Sequence, residues 1–372
     1  MKIGYISPVD PFKDKKAWSG TYFFVRKALE DSGQTVQWIP YNANSIWIKL
    51  ASKLYDFFNR GKGSSRHSRM IGWIEGHLIK ENLDNYDLIF IPGQSELIGY
   101  LSTKSPIAYY SDATVPLMVD YYWFNFSERT IREAEIVEKK GLDKSCLKLF
   151  ASKWAAHSAI NFYDQAKDKV TVLPLGANIP DEMIKHNYRF KKDRTLNIIF
   201  SGVDWKRKGG DIAVETVKKL VEDGYKAKLT ICGIRKDSKY VPNYDFINNV
   251  GFLDKNNPSE LRKYVSLWQA ADLLLLPTRA ECAGIVFSEA SAFGVPTLTT
   301  DTGGISDYVE NDVNGYRMDL SDNGNEYAAK IEFFIDNDLL NKMSKSAILK
   351  YKESNNWKVW GKHFNNILEQ IN

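Results

Sequence analysis

Cysteine is scarce in this chain. Cys146, Cys232 and Cys282 are the three among 372 residues, and none stands at a paired spacing. That excludes a disulfide scaffold and a zinc knuckle. The five histidines show no metal-ligand spacing, so solvated or core roles are expected for His67, His77 and the rest, and no metal site. No apolar run reaches membrane-spanning length. The opening residues Met1-Lys2-Ile3-Gly4-Tyr5-Ile6 read as a strand rather than a signal peptide, which makes the cytoplasm the expected location. Internal repeats and low-complexity tracts are missing, the nearest approach being a short turn at 61–65. Neither G-x-G-x-x-G nor a P-loop occurs, which disfavours NAD and P-loop chemistry. Without G-x-S-x-G or a Cys–His signature, nothing points to a hydrolase. A net charge of +4 is too small to call for nucleic acid.

What is present is a soluble globular composition, 44% apolar and 26% charged with a mean hydropathy of −0.37, in a chain long enough for two domains. Apolar runs of four to six residues alternate with helical patterns almost from end to end. Strands are expected at 3–7, 36–40, 88–91, 107–110, 148–151 and 170–173, then at 197–201, 228–232, 250–252, 273–277 and 297–299. Helices are expected between them, for example at 22–32, 154–163, 211–223, 259–270 and 287–293. Strand, helix, strand in repetition implies an α/β protein with parallel, doubly wound sheets. Two series in succession imply two Rossmann-like domains. The polar stretch 176–194, containing Pro180, marks the junction. The expected organisation is a first domain at 1–178, a second at 179–355, and a C-terminal helix at 356–372. Trp357, Trp360, Phe364, Ile367 and Ile371 give that helix an apolar stripe, and from pattern alone it packs on its own domain or on the other.

The most informative stretch is Leu273 to Met318. A buried strand ends at Pro277, a loop carries Glu281, Cys282, Ala283 and Gly284, and a helix bearing Glu289 follows until Gly294 stops it. Ligands of parallel sheets bind beyond strand C-termini, and the N-terminus of the following helix suits a phosphate or a set of hydroxyls. Glu281 and Glu289 then serve as acceptors for sugar hydroxyls. In the plainer alternative Glu281 caps the helix and Glu289 is a solvated surface residue.

A second loop, Gly202-Val203-Asp204-Trp205-Lys206-Arg207-Lys208-Gly209-Gly210, sets three cations just before a helix. Cations there are unfavourable unless an anion offsets them. A diphosphate fits, with Arg207 as a fork and Lys208 as a point charge; an ordinary basic surface loop is the alternative. In the first half, Gly20 in Trp18-Ser19-Gly20-Thr21 permits close ligand approach at a helix start or simply begins the helix. Asp112 follows a strand, placed equally for a substrate hydroxyl or as an N-cap.

Residues 45–80 hold seven basic residues (Lys49, Lys53, Arg60, Lys62, Arg66, Arg69, Lys80) against two acids (Asp56, Glu75), so the rest of the chain sums to −1. Trp47, Leu50, Ala51, Leu54 and Phe58 share one helical face. The pattern suits either peripheral contact with an anionic membrane or plain packing on the first domain.

Taken in order, these segments resemble the family-4 glycosyltransferases of GT-B fold. The resemblance rests on an E-x7-E signature from Glu281 to Glu289, followed by Gly294-Val295-Pro296 and Thr302-Gly303-Gly304. It rests also on the loop Gly202…Lys208-Gly209, on Pro174-Leu175-Gly176-Ala177-Asn178 and on Ala271-Asp272. It implies two Rossmann-like domains facing a central cleft, the first binding acceptor and the second the nucleotide-sugar donor, with the last helix crossing back. The implied activity is retaining, metal-independent transfer of a hexose-type sugar, UDP-sugar favoured and GDP-sugar possible, to a glycan, glycolipid or protein acceptor in bacterial surface polysaccharide biosynthesis. No cofactor is implied, and a protein of this kind works in the cytoplasm or at the inner face of the plasma membrane. Glu281 would meet the donor sugar, the backbone of Ala283, Gly284 and Ile285 the sugar hydroxyls or diphosphate, Glu289 the ribose, and Lys208 the leaving diphosphate. The chain departs from the family in having Val203 where an arginine is common, with Arg207 as the candidate replacement. Cys282 and Ala283 stand where Gly and Phe are usual, and Asp112 where many members have histidine. The rival functions are a sugar-nucleotide epimerase or phosphorylase on the same scaffold, and an inactive partner subunit that binds a sugar nucleotide or glycan.

Overall fold

Twelve strands, all in parallel pairings, form two six-stranded sheets among the residues described by the computed structural model, which are 1–59, 62–186 and 190–370. The first sheet contains β1 (Lys2–Ser7), β2 (Thr35–Pro40), β3 (Leu88–Pro92), β4 (Ile107–Ser111), β5 (Leu147–Phe150) and β6 (Val170–Val172) in the order β2-β1-β3-β4-β5-β6. The second contains β7 (Leu196–Ser201), β8 (Ala227–Cys232), β9 (Ile247–Gly251), β10 (Leu273–Leu276), β11 (Thr297–Thr300) and β12 (Gly315–Met318) in the order β12-β11-β10-β7-β8-β9. Helices cover both faces, which is why β3, β4 and β10 are buried at every position and read as continuous apolar runs.

The chain divides into two compact units. One comprises Met1–Pro174 with the residues from Gly361 onward, and the other Leu175–Trp360. The helix Trp357–Glu369 is therefore shared between them. Its Phe364 ring lies edge-on to Phe90 of β3 with centroids 5.7 Å apart, and Asn365 Nδ2 donates to the Ser32 carbonyl at 2.7 Å. Ile371, at the end of the expected stripe, lies outside the described residues, as do Arg60 and Gly61 of the basic segment and 187–189 of the expected junction.

Two expectations need correction. β12 had no counterpart in the apolar pattern: it is a four-residue edge strand, and its Tyr316 and Arg317 are only half-buried. The apolar face in 45–80 does not pack as one surface. Within the helix Ile46–Asn59, Ala51 and Tyr55 are buried, whereas Trp47, Leu50, Leu54 and Phe58 are exposed.

The sheet orders fix where chemistry can sit. In the second unit the strand order reverses between β7 and β10, and in the first between β1 and β3. Loops leaving adjacent strands at such a switch point diverge to opposite faces and open a crevice at the strand C-termini.

Candidate active site

In the second unit, β7 and β10 deliver their following loops to that crevice. Beyond β7, Gly209 adopts φ 71° as the N-cap of the helix Gly210–Glu222. A side chain there would collide with the Pro277 carbonyl at the end of β10, so the two loops interlock only with glycine at this position. The Arg207 carbonyl accepts from the Arg279 N–H at 2.7 Å and from Thr278 Oγ1 at 3.1 Å, which fastens the basic loop to its neighbour. Arg279 also forms a two-pronged pair with Asp211, at 2.9 and 2.8 Å.

This interlock holds Lys208 against Glu281. Each residue is 8% exposed, and the ammonium is hydrogen-bonded and ion-paired to Glu281 Oε2. Arg207 Nη1 stands 3.8 Å from the same oxygen and donates to the Ala280 carbonyl at 3.0 Å. Burial, with the Arg207 charge beside it, pushes Lys208 down to about 7. A lysine so poised gains most when an anion stronger than one carboxylate arrives. Gly202 belongs to the same constellation, since a Cβ on it would press on Lys208 Cγ at 2.9 Å.

Glu281 does not cap the next helix. Gly284 does, with φ 86°, and as glycine it brings no side chain to cap the first turn of Ile285–Ala292. Ala283, Gly284 and Ile285 thus present a helix N-terminus beside the Lys208–Glu281 pair, and the helix geometry itself leaves N–H groups there for a ligand. A Cβ on Gly284 would overlap the Phe287 ring at 2.4 Å and crowd Glu281 Cγ at 3.1 Å, so the turn closes in this way only with glycine.

Glu289 is not a solvated surface residue. It is 2% exposed, with one oxygen accepting from Lys255 Nζ at 2.8 Å and the other from the Tyr264 hydroxyl at 2.6 Å. The same Tyr264 oxygen stands 3.3 Å from Ser201 Oγ at the end of β7. Burial and the adjacent Glu289 hold the Tyr264 phenol well above its ordinary range, so it stays a donor. Lys255 and Tyr264 had no signal in the sequence, because one is a loop lysine and the other a core position of an ordinary amphipathic helix.

Gly20 and Asp112 belong to the first unit and its switch point. Trp18, Ser19 and Gly20 are successively left-handed, at φ 46°, 57° and 94°, and Gly20 caps the helix Thr21–Asp31. Trp18 in this conformation is strained, and its indole N–H donates to Asp112 Oδ2 at 3.2 Å. Asp112 is not an N-cap, since Thr114 precedes the next helical turn. Burial raises its carboxyl, against the opposing Trp18 hydrogen bond. Trp18 and Asp112 face a cavity of about 460 Å³ that is also lined by Arg66, His67, Glu96 and Trp123, and Gly20 is not part of its lining. His67, expected to be solvated or in the core, has Nδ1 2.6 Å from Glu96 Oε1 and its ring 4.4 Å from that of Trp123. Burial acts to raise the Glu96 carboxyl, but His67 and Arg66 hold it below its ordinary value. Two tryptophans thus line the cavity together with the Asp112 and Glu96 carboxyl groups.

Residues 182–350 match the family model "Glycosyl transferases group 1". A probable sucrose-phosphate synthase of Thermosipho melanesiensis is 26% identical over 232 residues, covering 59% of this chain and 52% of that protein. The lipopolysaccharide glucosyltransferase WaaG of Escherichia coli K12 is 31% identical over 162 residues, 40% of this chain and 41% of its own. The chain thus matches about half the length of such curated relatives. Among solved structures, Anabaena HepE in complex with UDP and glucose superposes with a TM-score of 0.65 at 14% identity, covering all of both chains. The fold is accordingly GT-B, two Rossmann-like domains, and the second of them carries the group 1 glycosyl transferase match.

Proposed function

We propose that this chain is a retaining glycosyltransferase of family 4, moving a hexose-type sugar from a nucleotide-diphosphate donor, UDP-sugar first, to a hydroxyl of a glycan or glycolipid. The observation that carries the proposal is the buried Lys208–Glu281 pair beside an uncapped helix N-terminus at the second unit's switch point. A dianionic diphosphate and a neutral hydroxylated ring match those two partners separately. The phosphates draw Lys208 and Arg207, and Glu281 is released to accept a donor hydroxyl. The relatives engaged in glycosyl transfer, and the UDP in HepE, support the same substrate class.

In the reaction the bond from the anomeric carbon to the diphosphate oxygen breaks, and the acceptor oxygen bonds to that carbon on the same face. The acceptor proton ends on the departing diphosphate. Lys208, Arg207 and the N–H groups of Ala283 to Ile285 offset the growing negative charge, which needs no metal in this reading. Such preorganised charge is the largest single contribution in many enzymes. Glu289 keeps Tyr264 and Lys255 fixed and retains lone pairs for the ribose hydroxyls. In the first unit, the Trp18–Asp112 cavity is the proposed acceptor site, with Asp112 meeting the attacking hydroxyl.

The test is a donor screen. Thermal shift and donor hydrolysis are measured across UDP-, GDP- and ADP-sugars, followed by NMR of the anomeric configuration in the product. One sugar nucleotide is expected to raise the melting temperature and to be hydrolysed or transferred with retention. Inverted product refutes the retaining mechanism, and no response to any of the three families refutes the donor assignment.

A further inference from the structure

The helix Ile46–Asn59 carries two apolar faces, and only the smaller is used by the fold. On a helical wheel of about 100° per residue, Ile48, Ala51 and Tyr55 form the side turned to the protein, where the Tyr55 hydroxyl reaches Thr130 Oγ1 at 3.2 Å. Ile46, Trp47, Leu50, Leu54, Phe57 and Phe58 occupy the adjoining arc of about 120°, all exposed, with Phe57 at 77%, Phe58 at 66% and Trp47 at 65%. Single exposed apolar residues are ordinary, but a contiguous row of six large ones marks an interaction surface.

We propose that this face docks on an anionic membrane surface, with the helix lying in the interface plane. Charge decides the occupant. Lys49 and Lys53 line one border of the apolar arc, Lys62 follows the helix, and Arg69 opens the next one, whose Trp73 is also exposed; all these cations are exposed. Of the two acids of this segment, Glu75 is buried, so Asp56 is its exposed acid, with Glu133 of a neighbouring helix bonded to the Arg69 N–H at 3.0 Å. A second copy of the chain is a poor occupant, because a two-fold contact through this arc brings Lys49 and Lys53 toward their own copies. Anionic headgroups match the lysines while the acyl boundary takes Trp47, Phe57 and Phe58. With 14 residues the helix lies along the interface and does not span it. The surface stands independently of the proposed chemistry.

The test uses the full chain in flotation with vesicles of 30% phosphatidylglycerol in phosphatidylcholine, and with pure phosphatidylcholine. Binding is expected to the anionic vesicles, weakening with salt as the Debye length shrinks. At about 1 kcal/mol per lysine near such a surface, K49Q/K53Q lowers partitioning on the order of thirtyfold. L50S/F57S/F58S removes binding with little shift in the melting temperature, since all three side chains are more than half exposed and the Phe57 and Phe58 rings meet each other rather than the core. The proposal is overturned by absence of binding at low salt, or by equal binding of wild type and the serine variant. Concentration-dependent dimerisation that the serine variant abolishes, with no vesicle binding, assigns the face to a second copy and overturns it equally.

Discussion

Replacing Glu281 by glutamine separates two roles that the buried pair combines. In the unliganded protein Lys208 is bonded to Glu281, so a diphosphate has to win the lysine from a carboxylate. Glu281→Gln keeps the shape, removes the competing charge, and removes repulsion between that charge and the phosphates. A hydrogen bond to a charged group contributes about 1.5–3 kcal/mol, and the glutamine oxygen retains part of it. The net gain for a nucleoside diphosphate is about 1.4–2.8 kcal/mol, or about tenfold to a hundredfold in Kd. Calorimetry with UDP at pH 6 is the assay, because there wild-type Lys208, pushed down to about 7, is protonated, and in the variant the arriving phosphates take over the carboxylate's role of favouring the charged lysine. At pH 8 the advantage shrinks, since the variant lacks the carboxylate that favours the charged lysine. Uridine serves as the control and binds equally to both proteins. Transfer by the variant falls by about 10²–10³, the scale of losing one transition-state contact. UDP binding no tighter than wild type at pH 6, in a folded variant, refutes the competition argument and the phosphate role of Lys208 with it.

Two further expectations concern stability. Burial pushes Glu138 up to about 8, while Oε2 accepts from the Val115 N–H at 2.6 Å. The folded state therefore holds a proton that the unfolded chain releases near 4.5. The resulting stabilisation is complete below that pH and is lost as pH rises toward 8, about 5 kcal/mol in all. Glu138→Gln keeps the neutral form, so its stability relative to wild type rises by about that amount between pH 4.5 and 8.5 in denaturant melts. A pH-independent difference contradicts the buried neutral carboxyl. Gly209→Ala forces a Cβ into the Pro277 carbonyl at positive φ. It is expected to cost about 1–3 kcal/mol or more and to weaken UDP binding by misplacing Lys208; unchanged melting and binding contradict the interlock of the two loops.

Much of this was legible in the sequence, for a physical reason. A strand covered on both faces needs an apolar residue at every position, so Leu273–Leu276 and Leu88–Pro92 announce themselves. Edge strand β12 does not, because one side of it meets no strand and its Tyr316 and Arg317 are only half-covered. Periodicity located the helix Ile46–Asn59 and its amphipathic character, but which apolar arc faces inward depends on what the rest of the unit offers. Tyr55, outside the expected face, found Thr130 75 residues away. The same holds at the candidate site. Glu281 and Lys208 were each legible from their loops, and their mutual contact across 73 residues depends on β7 and β10 being neighbours. Glu289 was legible, yet its partners Tyr264 and Lys255, 25 and 34 residues away, were not.

That dependence on neighbouring strands also explains why the site tolerates such an economical set of residues. A loop after one strand can supply a cation or an anion, but a buried cation alone would lose its proton and a buried anion alone would gain one. Only at the switch point do two loops diverge from adjacent strands, so that the Lys208 ammonium and the Glu281 carboxylate can be buried together. Two left-handed glycines, Gly209 and Gly284, begin the two following helices without side-chain caps. The Asp211 carboxylate accepts from backbone N–H groups of the first of these turns, while in the proposed function a diphosphate meets the turn that opens at Gly284 and draws Lys208 away from Glu281. On that reading a neutral ligand competes poorly for Lys208, and selectivity for a diphosphate-bearing donor is what the proposed function expects of the Lys208–Glu281 pair.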